Sequence, residues 1–337
     1  MGGGQVHYPA MSRGTSQQHM LGPGAAVGLW VALCGSAGFY GRLTGHEPRA
    51  YGAVLAALGI LVAGAVWLAS PAICEKLTRA AGPQGGVLVA LWPLGAYAIY
   101  AVGTGTFTWG RSGIAAAYAM APVALAASAH GKKSGAWQDY AAMVGLYAGY
   151  GWLRYLFPFP VDNYVWLPLL AVNVALAAFL LVRRMEGIGY SIGWRLAWIG
   201  FSALSFAIIV AIDVPVGIAI HFVRFDPGAA HWSTLPLTFL GILAFTAWPE
   251  EFLFRGVLQN LLGKTLRSEN GGWVAASVIF GLSHIFHPVV PNWRYVLAAT
   301  VAGLLYGFTW RKTGSIFPAA VVHALVDTTW HLLFRTL

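Results

Sequence analysis

Long apolar runs, not strand-like alternation, dominate this chain. Windows rich in Ala, Leu, Val, Ile, Gly and aromatics cover Val27–Tyr40, Gly52–Ala69, Val87–Thr108, Gly113–Ala129, Tyr140–Phe157 and Val165–Leu181. Others cover Leu196–Val210, Leu235–Trp248, Trp273–Phe286, Tyr295–Trp310 and Ile316–Leu333. Several cores fall short of the roughly 20 residues a span needs, so their flanks must supply the rest, and two short windows suit re-entrant segments. The pattern predicts an all-α fold, a polytopic membrane protein of about 8–11 transmembrane helices.

The breaks between windows give the organisation. Met1–Ala25 is polar and Gly-rich, without a signal-peptide core, and reads as a disordered tail (1–25). Residues 26–234 read as scaffold helices in which small residues, as in Gly145–Gly149, permit close packing. Phe157-Pro-Phe-Pro160 is a helix stop, and Asp213, just before Val-Pro, reads as a boundary residue. The polar stretch Ile220–Pro236, with His221, Arg224, Asp226 and His231, reads as a plain loop more than a lid. Near Leu235 the buried polar groups begin, so 235–333 is set apart as a chemical core.

Composition agrees with the membrane reading. The chain is 58% hydrophobic and only 9% charged, where soluble domains carry about a quarter charged residues. The formal net charge of +9 does not indicate a nucleic-acid partner, because the basic residues are scattered through connecting loops with no dense cluster. With eleven spans, one side would hold Arg13, Lys76, Arg79, Lys132, Lys133, Arg183, Arg184, Arg195, Lys264, Arg267, Arg311 and Lys312. The other would hold Arg42, Arg49, Arg111, Arg154, Arg224, Arg294 and Arg335. Twelve against seven favours a cytoplasmic N-terminus. Cys34 and Cys74 lie in or beside apolar segments and argue neither for a disulfide framework nor for a four-ligand zinc site.

Against this background Glu250-Glu251, followed by Arg255, stands out, since only 11 acidic residues serve 337 positions. Ionisable groups within apolar segments are costly and default to functional hypotheses. Glu251 and Arg255 are four apart and share a helix face, whereas Glu250 is rotated about 100° away and is free to face a cavity. Two further apolar segments carry polar groups at helical spacing: Phe280 with His284 and then His287, and His323 with Asp327 and then His331. If these helices pack together, carboxylates and imidazoles converge at one depth. The available chemistry is water activation: a carboxylate in an apolar, partly dry setting becomes a usable general base. One imidazole can hold the water while another donates to a developing oxyanion. Ser283 beside His284 does not make a nucleophile–base pair, and no HExxH zinc motif occurs. No cofactor is required; a divalent metal held by Glu250, His284 and His323 is the alternative.

These residues resemble the glutamate-type intramembrane proteases that include the eukaryotic CAAX prenyl endopeptidase and the bacterial CAAX protease and bacteriocin-processing or self-immunity proteins. The EExxxR motif is matched by Glu250, Glu251 and Arg255, FxxxH by Phe280 and His284, and HxxxN/D by His323 and Asp327. The resemblance spans roughly Leu235–Leu333. It implies an intramembrane endopeptidase acting on a membrane-anchored or lipid-modified protein or peptide, in a multi-pass protein of a bacterial inner membrane. It also implies Glu250 as general base, His284 assisting the water, His323 and Asp327 at the oxyanion, and Glu251 with Arg255 orienting the helices. The prenyl endopeptidases carry Asn at the last position, so Asp327 is a departure; an ionised Asp cannot donate to an oxyanion and would instead hold His323.

Two other function classes fit the same composition. A proton- or ion-coupled transporter predicts interrupted helices in matching positions of two halves, which the concentration of polar residues in the last third disfavours. A non-catalytic membrane scaffold or immunity protein of the same family is disfavoured by the presence of every key polar residue.

Overall fold

Apolar runs become helices here because a lipid-exposed backbone must satisfy its own N–H and C=O groups. The computed structural model describes residues 19–43, 48–81, 85–158, 163–227 and 232–337. The tail expected over Met1–Ala25 falls outside these residues as far as residue 18, and so does His231. The protein is an all-α, polytopic membrane protein. Among the described residues five helices are long and apolar enough to cross a membrane: Ala50–Leu68, Val165–Val182, Leu196–Ala219, Trp232–Thr265 and Ile316–Leu333. Pro23–Phe39 and Leu91–Gly103 are shorter apolar helices.

The chain divides into two compact units, one of Met20–Glu186 and one containing Gly187–Leu337. The first holds α1 (Pro23–Leu43), α2 (Pro48–Leu68), α3 (Pro71–Ala81), the single turn α4 (Gly86–Val89) and α5 (Leu91–Gly103). It continues with α6 (Trp109–Ser128), α7 (Trp137–Tyr150) and α8 (Asn163–Ala175), which runs on as a wide π-type turn to Val182. Asn173 and the Asp139–Arg183 pair are buried polar groups held by several partners each. The fully buried Asn173 amide donates to Leu61 O and Leu169 O and accepts from Trp92 Nε1, each at 2.7–2.9 Å, joining α2, α5 and α8. At one end of the unit Arg183 Nε donates to Asp139 Oδ1 at 2.7 Å, with both side chains buried. Arg183 Nη2 also donates to Lys132 O and Lys133 O, and Asp139 Oδ2 accepts from Gly135 N and Ala136 N ahead of α7. A charge taken from water needs this density of partners.

The second unit holds α9 (Leu196–Ala219), α10 (Trp232–Thr265), α11 (Glu269–Leu282), α12 (Trp293–Thr313) and α13 (Ile316–Leu333). Asp213, read from the sequence as a boundary residue, lies inside α9 and is buried, because Pro215 is accommodated within the helix instead of ending it. The stretch expected as a plain loop contains a strand, β1 (Val223–Phe225), paired antiparallel with β2 (Phe334–Thr336) in the register Val223↔Thr336. Caps mark the later helix starts: Ser268 Oγ accepts from Gly271 N, and Asn292 Oδ1 from Tyr295 N. α12 ends at Gly314, whose φ of +66° is the left-handed stop that glycine provides.

Two features of this unit position the site. α10 widens into π-type turns at Leu243–Ala247 and Phe252–Gln259, leaving Trp248–Glu251 as one α turn between them. Pro249 lacks an N–H and crowds the carbonyl a turn earlier, so a wide turn upstream of it relieves the clash. Such turns recur at functional sites. Glycines then bring α11 close to its neighbours. A Cβ at Gly272 would overlap the Gly263 backbone of α10, and one at Gly281 would overlap the Thr300 hydroxyl of α12.

Candidate active site

Helix α10 supplies Glu250, Glu251 and Arg255. Arg255 Nε donates to Glu251 Oε2 at 2.9 Å, and neither side chain has any exposure. The other oxygen, Glu251 Oε1, accepts from His323 Nδ1 of α13 at 3.0 Å. Glu251 is thus used on both sides, once by a residue a turn away and once by a residue 72 positions further on. Because a carboxylate only accepts, Nδ1 of His323 carries a proton. Nε2 of the same ring lies 3.4 Å from Asp327 Oδ2 and 4.0 Å from Glu250 Oε2. The His323 ring therefore stands between Glu251 on one side and the Asp327–Glu250 pair on the other.

The two adjacent glutamates have different surroundings. Glu251 is enclosed, whereas the Glu250 side chain retains 35% exposure and Asp327 30%. The backbone rotation of about 100° between neighbours in a helix is enough to do this. Glu250 keeps an open side for a small molecule such as water, and its nearest ionic neighbour is the His323 ring.

His284 does not lie within α11, as the apolar window implied, but in the tight turn just after it, where its backbone N–H donates to Gly281 O. Its Nδ1 sits 2.9 Å from Phe280 O. A carbonyl accepts only, so the proton is on Nδ1 and Nε2 keeps a free lone pair, the tautomer that can accept from a water. Ser283 Oγ also donates to Phe280 O, at 2.7 Å, and so does not direct its proton to the imidazole. The Phe280 ring joins the two imidazoles: its centroid is 5.0 Å from that of His284 and 5.8 Å from that of His323.

Arg255 is enclosed by aromatic faces. Its Nη1 and Nη2 are buried without a hydrogen-bond partner, but the guanidinium carbon lies 4.8 Å from the Phe280 ring centre and 5.9 Å from that of Tyr306. Cation–π attraction of a desolvated Arg is worth about 2 kcal/mol and offsets part of that deficit.

Tyr306 is a site residue that the pattern along the chain does not single out. It is buried in α12 and stacks on His323 with ring centres 4.6 Å apart and planes 14° from parallel. Tyr295 packs on His284 at 4.6 Å and on His287 at 5.0 Å. The only sequence signal at Tyr306 is an aromatic set between Gly303 and Gly307, which an ordinary packing helix also shows. His331 is exposed on α13 with Nδ1 bonded to Asp327 O, and the exposed His287 stacks beside His284. Among the described residues no three His, Cys, Asp or Glu side chains are grouped to hold a metal ion, and this covers the set Glu250, His284 and His323.

A match to a known family falls on the same segment. Residues 231–329 match the family described as Type II CAAX prenyl endopeptidase Rce1-like, and all six polar residues of the three motifs fall within the match. The chain is 28% identical over 147 residues to "Uncharacterized protein YpbD" of Bacillus subtilis (strain 168), which covers 42% of this chain and 70% of that relative. No solved structure matches.

Proposed function

From a chain whose residues 231–329 belong to the Type II CAAX prenyl endopeptidase Rce1-like family, we propose an intramembrane endopeptidase that hydrolyses a peptide bond in a membrane-anchored or lipid-modified protein or peptide. The carrying observation is the division of the two glutamates. Glu251 is committed to Arg255 and His323, whereas Glu250 is 35% exposed beside the same imidazole.

In this reading Glu250 takes a proton from water, and the hydroxide adds to the scissile carbonyl carbon. The carbonyl electron pair moves to oxygen, where the Nε2–H of His323 meets it. The proton held by Glu250 then passes to the amide nitrogen as the C–N bond breaks, leaving a carboxyl group and an amine. His284 holds the water through the free lone pair of Nε2. Asp327 accepts from His323 Nε2 in the resting site and yields that proton to the oxyanion. A single oxyanion donor of this kind is worth about 2.7–4 kcal/mol of barrier. Glu251 and Arg255 position the ring without touching substrate.

The test is Glu250→Gln in the full chain reconstituted in vesicles with membrane-anchored peptide substrates, with products mapped by mass spectrometry. Cleavage should fall by at least about 10²-fold, as expected when a general base is removed, and the chelator-treated wild type should cleave normally. Wild-type cleavage by Glu250→Gln overturns the mechanism. Proton or cation flux without any cleavage would instead favour a transporter.

A further inference from the structure

The unit of Met20–Glu186 contains a cavity of about 510 Å³ that the proposed chemistry does not use. One stripe of α2 lines it: Leu55, Ala56, Gly59, Ile60, Ala63, Gly64, Trp67 and Leu68. At 1.5 Å per residue this stripe is about 20 Å long, enough to follow a hydrocarbon chain across one leaflet of about 15 Å. Small residues form part of the lining, and Trp30, Trp67 and Trp92 form its indole walls. Trp30 and Trp67 meet edge to face at 5.3 Å. Two of the three indoles are occupied: Trp30 Nε1 donates to Gly59 O and Trp92 Nε1 to Asn173 Oδ1. Trp67 Nε1 is buried without a partner. It lies one residue before the end of α2.

Helix α3, which contributes Leu77 to the lining, is basic. Leu77 of α3 lines the cavity, and its neighbours Lys76 and Arg79 are exposed. Arg184 is exposed too, and its Nη2 donates to Thr78 O at 2.8 Å, which brings a third cation to the same helix. Glu75, paired with Arg79, is the carboxylate there, so these four side chains carry a net +2. An apolar slot one leaflet long, lined in part by a helix that gathers three cations, has the complementarity of one ligand class.

We propose that this cavity holds one acyl chain of an anionic phospholipid, with Lys76, Arg79 and Arg184 receiving its phosphate and Trp67 Nε1 donating to a glycerol ester carbonyl. Neutral lipids share the chain but lack the net negative head, so the basic rim makes the site selective.

Native mass spectrometry of the full chain in neutral detergent, with 16-carbon phosphatidylglycerol or phosphatidylcholine added in equal amounts, tests this. The wild type should retain the anionic lipid roughly tenfold more than the neutral one, juxtaposed basic residues being the source of such selectivity. The variant K76Q/R79Q/R184Q, altered only at exposed positions, should retain both lipids equally. Gly59 and Cys34 both line the cavity, and a Cβ at Gly59 would stand 3.6 Å from Cys34 Sγ, so the larger Gly59→Leu should fill the slot and lose both lipids. Equal retention of the two lipids by wild type overturns the proposal. So does undiminished anionic preference in the triple variant, a result that stands even if Gly59→Leu fails to fold.

Discussion

Replacing Glu251 by Gln tests the proposed division between a positioning carboxylate and a chemical one. Both oxygens of Glu251 accept, Oε2 from Arg255 Nε at 2.9 Å and Oε1 from His323 Nδ1 at 3.0 Å, in a place with no exposure. Glutamine offers one acceptor and one NH₂ donor. Its oxygen can remain on Arg255, but its NH₂ then faces His323 Nδ1, which must surrender its proton to accept. The ring then carries its proton on Nε2 and no longer donates from Nδ1. Arg255 meanwhile loses its counterion while its Nη1 and Nη2 already lack hydrogen-bond partners. Breaking a buried pair in this way costs about 3–5 kcal/mol. At about 2–4 °C per kcal/mol for a unit of this size, Tm should fall by roughly 6–20 °C.

Glu250→Gln is the matched control, because its nearest ionic partner is 4.0 Å away and the side chain is 35% exposed. It should change stability by less than about 1 kcal/mol. Thermal unfolding of both variants in one detergent, with a double-mutant cycle of Glu251→Gln and Arg255→Gln, measures the difference. The cycle should show coupling of about 2 kcal/mol or more between these contacting residues. Equal Tm values for the two glutamine variants, or coupling near zero, would refute the division of labour.

Tyr306→Phe should keep the ring stacked on His323 and leave cleavage near wild type, while Tyr306→Leu should lose the aromatic contribution of about 0.5–1.5 kcal/mol and slow turnover with little change in KM; a parallel steady-state comparison decides it. Gly281→Val should force α11 from Thr300 and from the Val296 carbonyl, which a Cβ would meet at 2.7 Å, costing about 1–3 kcal/mol by overpacking, and should lower cleavage because His284 follows three residues later; Gly281→Ala should lose less, and equal loss in the two variants would argue against a steric cause.

What the chain discloses on its own is local. The pairing of Glu251 with Arg255 and the shared face of His323 and Asp327 follow from spacing of four, and both contacts are present at 2.9 Å and 3.4 Å. Spacing cannot show that His323 reaches Glu251 across 72 residues, since that contact depends on how α13 packs on α10. Nor does it show the stack of Tyr306, which looks like any aromatic in an apolar helix. The pattern places Asp213 at a boundary, whereas it lies inside α9, where Pro215 is tolerated within the helix. His284 falls past the end of α11 because Ser283 and the following residues turn tightly, a departure that an apolar window does not register.

The adjacency of Glu250 and Glu251 is itself a positioning device. Successive side chains on a helix differ by about 100° in azimuth and by about 1.5 Å in height, so fixing one fixes the other. Glu251 is held from two directions, by Arg255 on its own helix and by His323 on α13. That grip sets the rotation of the α turn Trp248–Glu251, which the wide turns on either side would otherwise leave freer to shift. Glu250 needs no binding partner of its own to be aimed, and can leave its carboxylate open to water. The same ring that locks Glu251 presents its other nitrogen toward Glu250 and Asp327. One imidazole therefore couples the position of the enclosed carboxylate to that of the open one, which is how two consecutive residues would serve the proposed chemistry.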